Sequence, residues 1–115
     1  MKKIIFLLFI PLLISACHSA SKTKPKSDES SACLKSKINA FSKTDCDKHP
    51  NVKEYTFQGK QVFVFDPGKC GADMTSEVMD KECKNLGYLG GFAGNVKING
   101  EDFSNAVFVK TIWER

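Results

Sequence analysis

The sequence lacks an apolar run long enough to cross a membrane as a helix. Its longest apolar stretch, residues 4–14, has 11 residues and includes Pro11. A membrane-spanning helix needs about 20 consecutive apolar residues. The sequence therefore argues against a protein built on transmembrane helices, and this stretch reads instead as an export signal.

An excess of charge of one sign is also missing. Removing Lys2 and Lys3, which precede the apolar stretch, leaves 15 of the 17 basic residues against 13 acidic ones. A nucleic-acid-binding domain usually carries a strong basic patch. The balance of charge argues against nucleic acid as a partner, and an export signal argues against it independently.

Closely spaced metal or redox ligands are scarce as well. None of the cysteines forms a Cys-x-x-Cys pair, and His49 is the only histidine after His18. Zinc knuckles normally bring their ligands in close pairs, and thioredoxin-like redox sites use Cys-x-x-Cys. The sequence thus predicts neither a metal site nor a dithiol redox site.

What the sequence does have is a distinctive amino-terminal segment. Lys2 and Lys3 are followed by the apolar stretch and then by Ile14-Ser15-Ala16-Cys17. This layout resembles the signal peptide and lipobox of bacterial lipoproteins. The resemblance implies that residues 1–16 are a signal peptide removed before Cys17, and that Cys17 carries a covalent diacylglycerol. No other cofactor is predicted, and the anchor makes a membrane the first expected partner.

Residues 17–31 are predicted to be the lipidated cysteine and a disordered tether. They include one proline and no large apolar side chain, so they bury too little surface to offset the entropy of ordering. His18 stands where inner-membrane retention requires aspartate, and no acidic residue precedes Asp28. By resemblance to lipoprotein sorting rules, this implies a lipid-anchored protein of the cell envelope. It faces the periplasm from the outer membrane, in a host that has one.

The globular domain is predicted over residues 32–115 and contains Cys33, Cys46, Cys70 and Cys83. An even cysteine count in a short exported domain is typical of a disulfide framework, and four cysteines allow three pairings. Cys46 and Cys70 both lie near the open end of one predicted hairpin. The first choice therefore pairs Cys46 with Cys70 and Cys33 with Cys83. The second choice pairs Cys33 with Cys46 and Cys70 with Cys83.

Periodicity predicts an α+β domain with one helix packed on a small, mainly antiparallel sheet of four to five strands, stapled by disulfides. The helix is expected after the N-cap residues Ser30 and Ser31, because apolar side chains recur at helical spacing up to Phe41. The predicted strands are residues 52–57, 60–65, 77–80, 84–89 and 105–114, with Gln58-Gly59 as the first hairpin turn. Aromatic residues are expected to fill much of the core: Tyr55, Phe57, Phe63, Phe65, Phe108 and Trp113.

Several short patterns also occur in a recognisable order. They are Cys-x4-Ile in the helix, Tyr-Thr-Phe-Gln-Gly-Lys at residues 55–60, Asp-Pro-Gly-Lys-Cys at 66–70, Gly-Gly-x-x-Gly at 90–94 and Ile-Trp-Glu at 112–114. In this order they resemble a group of small bacterial lipoproteins classed only as a domain of unknown function. Some relatives in that group carry further cysteines where Gly71 and Gly87 stand here. The resemblance therefore implies no disulfide scheme, and it supplies no catalytic residues.

Candidate catalytic chemistry is poorly supported. The glycines at 87, 90, 91 and 94 lack the Gly-Lys-Ser/Thr ending of a phosphate-binding loop, so they are interpreted as turn residues. His49 precedes Pro50 in a polar loop with no nucleophile indicated nearby. The acidic residues considered as calcium ligands do not follow an EF-hand spacing: Asp66, Asp73, Asp80, Glu101 and Asp102. The sequence predicts no enzyme.

The remaining interpretation is an anchored binding or envelope-maintenance module with an envelope protein as partner. Residues 66–75 and 90–103 are the connections where binding residues are expected, since loops on a rigid scaffold carry most recognition. An alternative hypothesis is an inhibitor of an envelope hydrolase such as a protease or lysozyme, which predicts a protruding, well-supported loop. A third hypothesis, a metal-dependent or hydrolytic enzyme, predicts His49 and carboxylates clustered in a pocket.

Overall fold

A computed structural model describes residues 26–44, 48–71 and 73–115. The predicted signal peptide, the predicted lipidation site Cys17 and the predicted disulfide cysteine Cys46 lie outside these residues. In the part of the chain that is described, no helix is long and apolar enough to span a membrane.

The described residues form one α-helix, seven strands and one 3-10 helix. In chain order these are α1 (Lys26–Phe41), β1 (Asn51–Phe57), β2 (Lys60–Asp66), β3 (Thr75–Asp80), β4 (Asn85–Gly90), β5 (Lys97–Ile98), β6 (Glu101–Asp102), the 3-10 helix Phe103–Asn105 and β7 (Val107–Glu114).

A five-stranded sheet has the order β4-β3-β2-β1-β7, and every neighbouring pair in it is antiparallel. The β1–β2 hairpin turns at Gln58 and Gly59, whose φ angles of 51° and 71° fit a type I′ turn. The remaining short strands, β5 and β6, form a separate hairpin. The predicted α+β fold, with one helix on an antiparallel sheet, is confirmed.

The two faces of the sheet bury different side chains. On β2, Phe63 and Phe65 belong to one buried cluster, whereas Val62 and Val64 belong to another, because successive side chains of a strand point to opposite faces. We call the side of Phe63 the helix face, since α1 covers it. We call the side of Val62 the opposite face.

The helix face is packed by one stripe of α1. Leu34, Ile38 and Phe41 contact a buried cluster on the strands, formed by Val52, Phe63, Phe65 and Met79. Phe41 also makes edge-to-face contacts with Phe65 and Trp113, with ring centroids 5.4 Å and 5.8 Å apart. The apolar stripe predicted from the sequence is therefore the side of the helix that packs on the sheet.

The start of the helix differs from the prediction. Ser30 and Ser31 were expected to cap it, but α1 begins at Lys26, so both serines lie inside the helix. Once a helix has nucleated, each added residue needs no new nucleus, and a polar segment can extend it without apolar contacts. The N-cap prediction is wrong for this reason.

The opposite face is covered by residues 91–106, which we call the covering segment. Ile98 in β5 is buried, and Phe103 and Ala106 pack with it on the strand residues Phe57, Val62, Val64 and Val78. Phe103 also contacts Tyr55 and Phe57, at centroid distances of 5.4 Å and 5.0 Å. The domain therefore has three layers: helix, sheet and covering segment.

The predicted core position of Phe108 is wrong. Its side chain is 53% exposed, although its ring contacts that of Tyr55. Two register shifts interrupt the pairing of β7 with β1. Each shift inserts an unpaired residue and breaks the simple alternation of buried and exposed positions.

The helix runs along the sheet from one end to the other. Cys33 in α1 is joined to Cys83, which lies in the β3–β4 turn, whereas Phe41 lies beside Phe65 and Trp113. We call the end with the β3–β4 turn the lower end. The upper end is formed by Asn51, Asp66, Thr75, Gly90 and Glu114.

Candidate functional site

The structure does not bring the sequence-predicted catalytic candidates together. His49 is exposed in the loop before β1 with a φ of 60°, and its carbonyl accepts a hydrogen bond from Asn51 Nδ2 at 3.2 Å. Among the described residues, no group of three or more His, Cys, Asp or Glu side chains is arranged to hold a metal ion.

Three of the five carboxylates considered for calcium instead hold local turns. Asp66 Oδ1 accepts the Gly68 N–H, and Asp80 Oδ1 accepts the N–H groups of Glu82 and Lys84. Asp102 Oδ1 accepts the Ser104 N–H at 2.9 Å and caps the 3-10 helix. This backbone hydrogen bond is the main cause that lowers the pKa of the Asp102 carboxyl.

The structure describes three of the four cysteines in the predicted disulfide framework, so the predicted pairing can be checked for these three. Cys33 and Cys83 are bonded, with a Cα–Cα distance of 6.3 Å, so the first-choice pairing is confirmed for them and the second choice is wrong. Cys70 is also disulfide-bonded. Its predicted partner, Cys46, lies outside the described residues, and that pairing stays a prediction.

The connection over residues 66–75 packs against the loop that precedes β1. Lys69 N–H donates to the Lys48 carbonyl, and a Cβ built on Gly68 would lie 2.0 Å from that carbonyl oxygen. Only glycine fits at this position, which also has a φ of 77°. The Asp-Pro-Gly corner is therefore explained by close backbone packing.

The connection over residues 90–103 presents an aromatic side chain to solvent. Phe92 is 93% exposed, more than any other large apolar residue among those described. It lies in the turn 91–94, which follows β4 at the upper end of the sheet. We call residues 91–94 the Phe92 turn.

Backbone hydrogen bonds hold the Phe92 turn in place. Gly90 and Asn95 exchange two of them, at 2.8 Å and 3.0 Å, and Gly91 N–H donates to the Met74 carbonyl at 3.1 Å. The Asn95 side chain adds bonds to the carbonyls of Tyr88 and Lys97. The turn is thus a fixed support for an exposed ring.

Gly91 explains how the Phe92 turn can pack so closely against the start of β3. Its φ is 77°, and a Cβ at this position would lie 2.8 Å from Cγ2 of Thr75. Glycine therefore allows the chain to leave β4 against the start of β3.

An open pocket of about 630 Å³ lies between the covering segment and the sheet. Tyr55, Leu89, Val96, Phe103 and Ala106 give it apolar walls. Asn95, Asp102 and Ser104 add polar atoms to its lining. The pocket reaches β7 through Tyr55, which pairs with Phe108, and through Ala106, which immediately precedes Val107.

Sequence reasoning located the connection at residues 90–103 but did not single out Phe92 or the pocket. An aromatic residue between turn glycines was the available signal, because a large apolar side chain in a tight, polar turn has little chance of burial. The pocket had no comparable signal, since its walls come from separate strands and from the covering segment.

Comparison with known proteins gives one family. The family described as "Domain of unknown function (DUF6970)" matches residues 39–115. The matched region includes all seven strands and leaves Cys17 and Cys33 outside. No curated protein and no solved structure matches the chain.

Proposed function

We propose that this chain, which belongs to the DUF6970 family of domains of unknown function, is a lipid-anchored, non-catalytic binding module of the bacterial cell envelope. Its anchor is the diacylglycerol expected on Cys17, within a family of small lipoproteins. Its partner is another envelope protein, and no catalytic residue, metal or nucleic acid takes part.

The observation that carries the proposal is the Phe92 turn. An aromatic side chain that is 93% exposed is held on a turn fixed by several hydrogen bonds. A rigid aromatic residue contributes large contact area and loses little conformational entropy on binding, and aromatic anchors dominate many interfaces. Phe92 is accordingly the residue that we assign to the centre of the interface.

The direction of the helix supports a partner away from the membrane. α1 begins beyond the lower end of the sheet, and the Phe92 turn lies at the upper end. The chain between Cys17 and Lys26 spans at most about 30 Å when fully extended. A lipid on Cys17 would then attach the domain from its lower end, at the opposite end of the sheet from the Phe92 turn.

The proposal is tested by photo-crosslinking in the native host. A photoreactive amino acid at position 92 should yield an adduct with an envelope protein, whereas the same group at Lys97 should not. Phe92→Ser should reduce co-purification of that partner by roughly tenfold or more, as expected for an interface hot spot.

Val96→Ser is the matched control, because Val96 is an exposed apolar residue of the same segment. It should leave capture of the partner unchanged. Equal adducts at positions 92 and 97, or undiminished capture by Phe92→Ser, would contradict the proposal.

The same turn favours inhibition of an envelope hydrolase as a second candidate function. This hypothesis required a protruding, well-supported loop, and the Phe92 turn has both properties. Adding the protein to purified envelope proteases or to lysozyme should then abolish activity at a one-to-one ratio. Phe92→Ala should relieve the inhibition, and full hydrolase activity at excess protein would reject this candidate.

A further inference from the structure

The two edges of the five-stranded sheet are protected to different degrees. At the β4 edge, Gly90 forms a bridge with Asn95, and the covering segment contacts β4 through β5. At the other edge, no strand of the described chain pairs with the outer side of β7, which is eight residues long. An unpaired edge of this length offers backbone donors and acceptors to another chain.

The side chains of β7 add to this difference. Val107, Phe108 and Val109 are consecutive and are 65%, 53% and 47% exposed. Edge strands usually carry charges or proline that discourage pairing. The only charged residue in the first half of β7 is Lys110. The edge is therefore only partly protected against pairing with another strand.

The apolar pocket continues toward the same edge. Its walls include Tyr55, which contacts the Phe108 ring at 5.7 Å, and Ala106, next to the start of β7. A strand added outside β7 would place the side chain beside Phe108 on the pocket side. Its neighbouring side chains would lie on the helix face, where Lys110 lies with Glu54.

We infer that the outer edge of β7 binds an extended segment of a partner protein by strand addition. The segment places an apolar residue beside Phe108 at the pocket and an acidic residue opposite Lys110. Backbone hydrogen bonds to β7 supply affinity, and the pocket and Lys110 supply specificity. This surface is separate from the Phe92 turn and does not depend on it.

The positive charge of Lys110 favours a partner segment that carries an acidic residue. Lys110 lies 3.8 Å from Glu54, yet its side chain is 65% exposed, so its charge is available at the edge. Opposite charges on directly paired residues stabilise a sheet. An acidic residue at this position therefore favours binding.

A second copy of the chain fits this edge less well. The regular two-fold pairings that overlap most of β7 are centred on Lys110 or on Thr111, because directly opposite residues must point to the same face. The first puts the two Lys110 side chains directly opposite each other and the second makes them diagonal neighbours, and like charges at such positions are unfavourable. The two register shifts in β7 also interrupt the regular ladder that a long symmetric pairing needs.

A synthetic peptide tests the inference with the full chain. The probe alternates valine and threonine around one central glutamate, and its matched control carries N-methyl groups on every backbone amide, because methylating alternate amides would leave one edge of the peptide able to pair. Amide chemical shifts should change along β7 on adding the probe. The methylated peptide should bind at least about tenfold more weakly, because strand addition depends on main-chain hydrogen bonds.

Variants identify the edge and the charge. Val107→Lys should weaken probe binding about fivefold, since a charge on an edge strand discourages pairing. Tyr88→Lys, at a similarly exposed residue of the other edge strand β4 and outside the pocket lining, should have no effect. Lys110→Gln should weaken binding of the glutamate probe about threefold and leave a glutamine probe unaffected.

The peptide comparison decides the result even if Val107→Lys fails to fold. Equal affinity for the methylated peptide, shifts confined to other strands, or no binding up to the solubility limit would overturn the inference. Concentration-dependent protection of the β7 amides without any peptide would assign the edge to a second copy and would also overturn it. Phe92→Ser should leave peptide affinity unchanged, which separates this surface from the proposed function.

Discussion

The helix face and the opposite face of the sheet differ in how their covering elements are held. On the helix face, α1 is joined to the sheet by the Cys33–Cys83 bond and by edge-to-face packing of Phe41. Arg115 adds hydrogen bonds to the carbonyls of Ser42 and Thr44 just after the helix. On the opposite face, the covering segment contains no cysteine and depends on packing of Ile98 and Phe103.

The covering segment carries the most exposed apolar side chain, Phe92, although Tyr88 and Val107, whose strand pairing puts them on the helix face, are exposed too. The exposed apolar residues include Phe92 and Val96 in the covering segment and Phe108 in β7, which contacts Tyr55 from the same cluster. A covalent bond fixes the helix, so the helix face stabilises the domain. The opposite face can then carry recognition residues that contribute little to folding. We expect substitutions on the two faces to separate stability from binding.

Loss of the Cys33–Cys83 bond should have the largest effect. The bond closes a sequence separation of 50 residues, and chain entropy predicts a loss of about 4 kcal/mol in the free energy of unfolding. The double variant Cys33→Ser/Cys83→Ser avoids a free thiol, and denaturant unfolding measures the loss. A change below about 1 kcal/mol would mean that packing alone holds α1, and the contrast between the faces would disappear.

Trp113→Ala should come next, with a loss of about 3 kcal/mol, because the half-buried indole packs on Phe41. Phe108→Ala, on the same strand, is the matched control and should cost about 1 kcal/mol, since its ring is more than half exposed. Denaturant unfolding of both variants gives the comparison. Equal losses would place Phe108 in the core after all.

Ile98→Ala should lower the free energy of unfolding by about 2 kcal/mol. This is the low end for a buried isoleucine, because a covering segment without a disulfide can relax around the cavity. Hydrogen exchange should rise first in residues 91–106 and only later in β1 and β2. Simultaneous loss of protection in α1 would show that the two faces unfold as one unit.

The sequence patterns predicted the regular parts of this fold for physical reasons. The positive-φ pair Gln58-Gly59 and the helical spacing of Leu34, Ile38 and Phe41 act locally, so the hairpin and the helix stripe were visible. The register shifts in β7 arise from its pairing with β1, which lies far away in the sequence. They are the reason that the sequence wrongly predicted a core position for Phe108. The covering segment was read as loops because β5 and β6 have two residues each, and its packing depends on distant strands.

Acid should loosen the covering segment before the helix face. The pKa of Asp102 is lowered chiefly by the Ser104 N–H bond, so the ionised carboxylate stabilises the 3-10 helix. That contribution is present above the unfolded aspartate pKa of about 3.9 and is lost as the pH falls through the lower folded value. The protection of the Ser104 amide, meaning its exchange rate relative to the intrinsic rate at each pH, should fall over this range. Asp102→Asn should remove this pH-dependent change in protection; an unchanged acid response in Asp102→Asn would assign it to another group.

His49→Ala should have the smallest effect, and it tests whether the division into a stabilising and a recognising face is complete. His49 is exposed and belongs to neither buried cluster, so the free energy of unfolding should change by less than about 0.5 kcal/mol. Alanine keeps the Cβ, so the substitution adds no steric strain at the φ of 60°. Denaturant unfolding and complementation of a deletion strain measure the two consequences, and both should match the unmodified protein. A stable, correctly anchored His49→Ala protein that fails to complement would place a functional group outside both faces, and it would put a hydrolytic or metal-dependent enzyme ahead of the binding module.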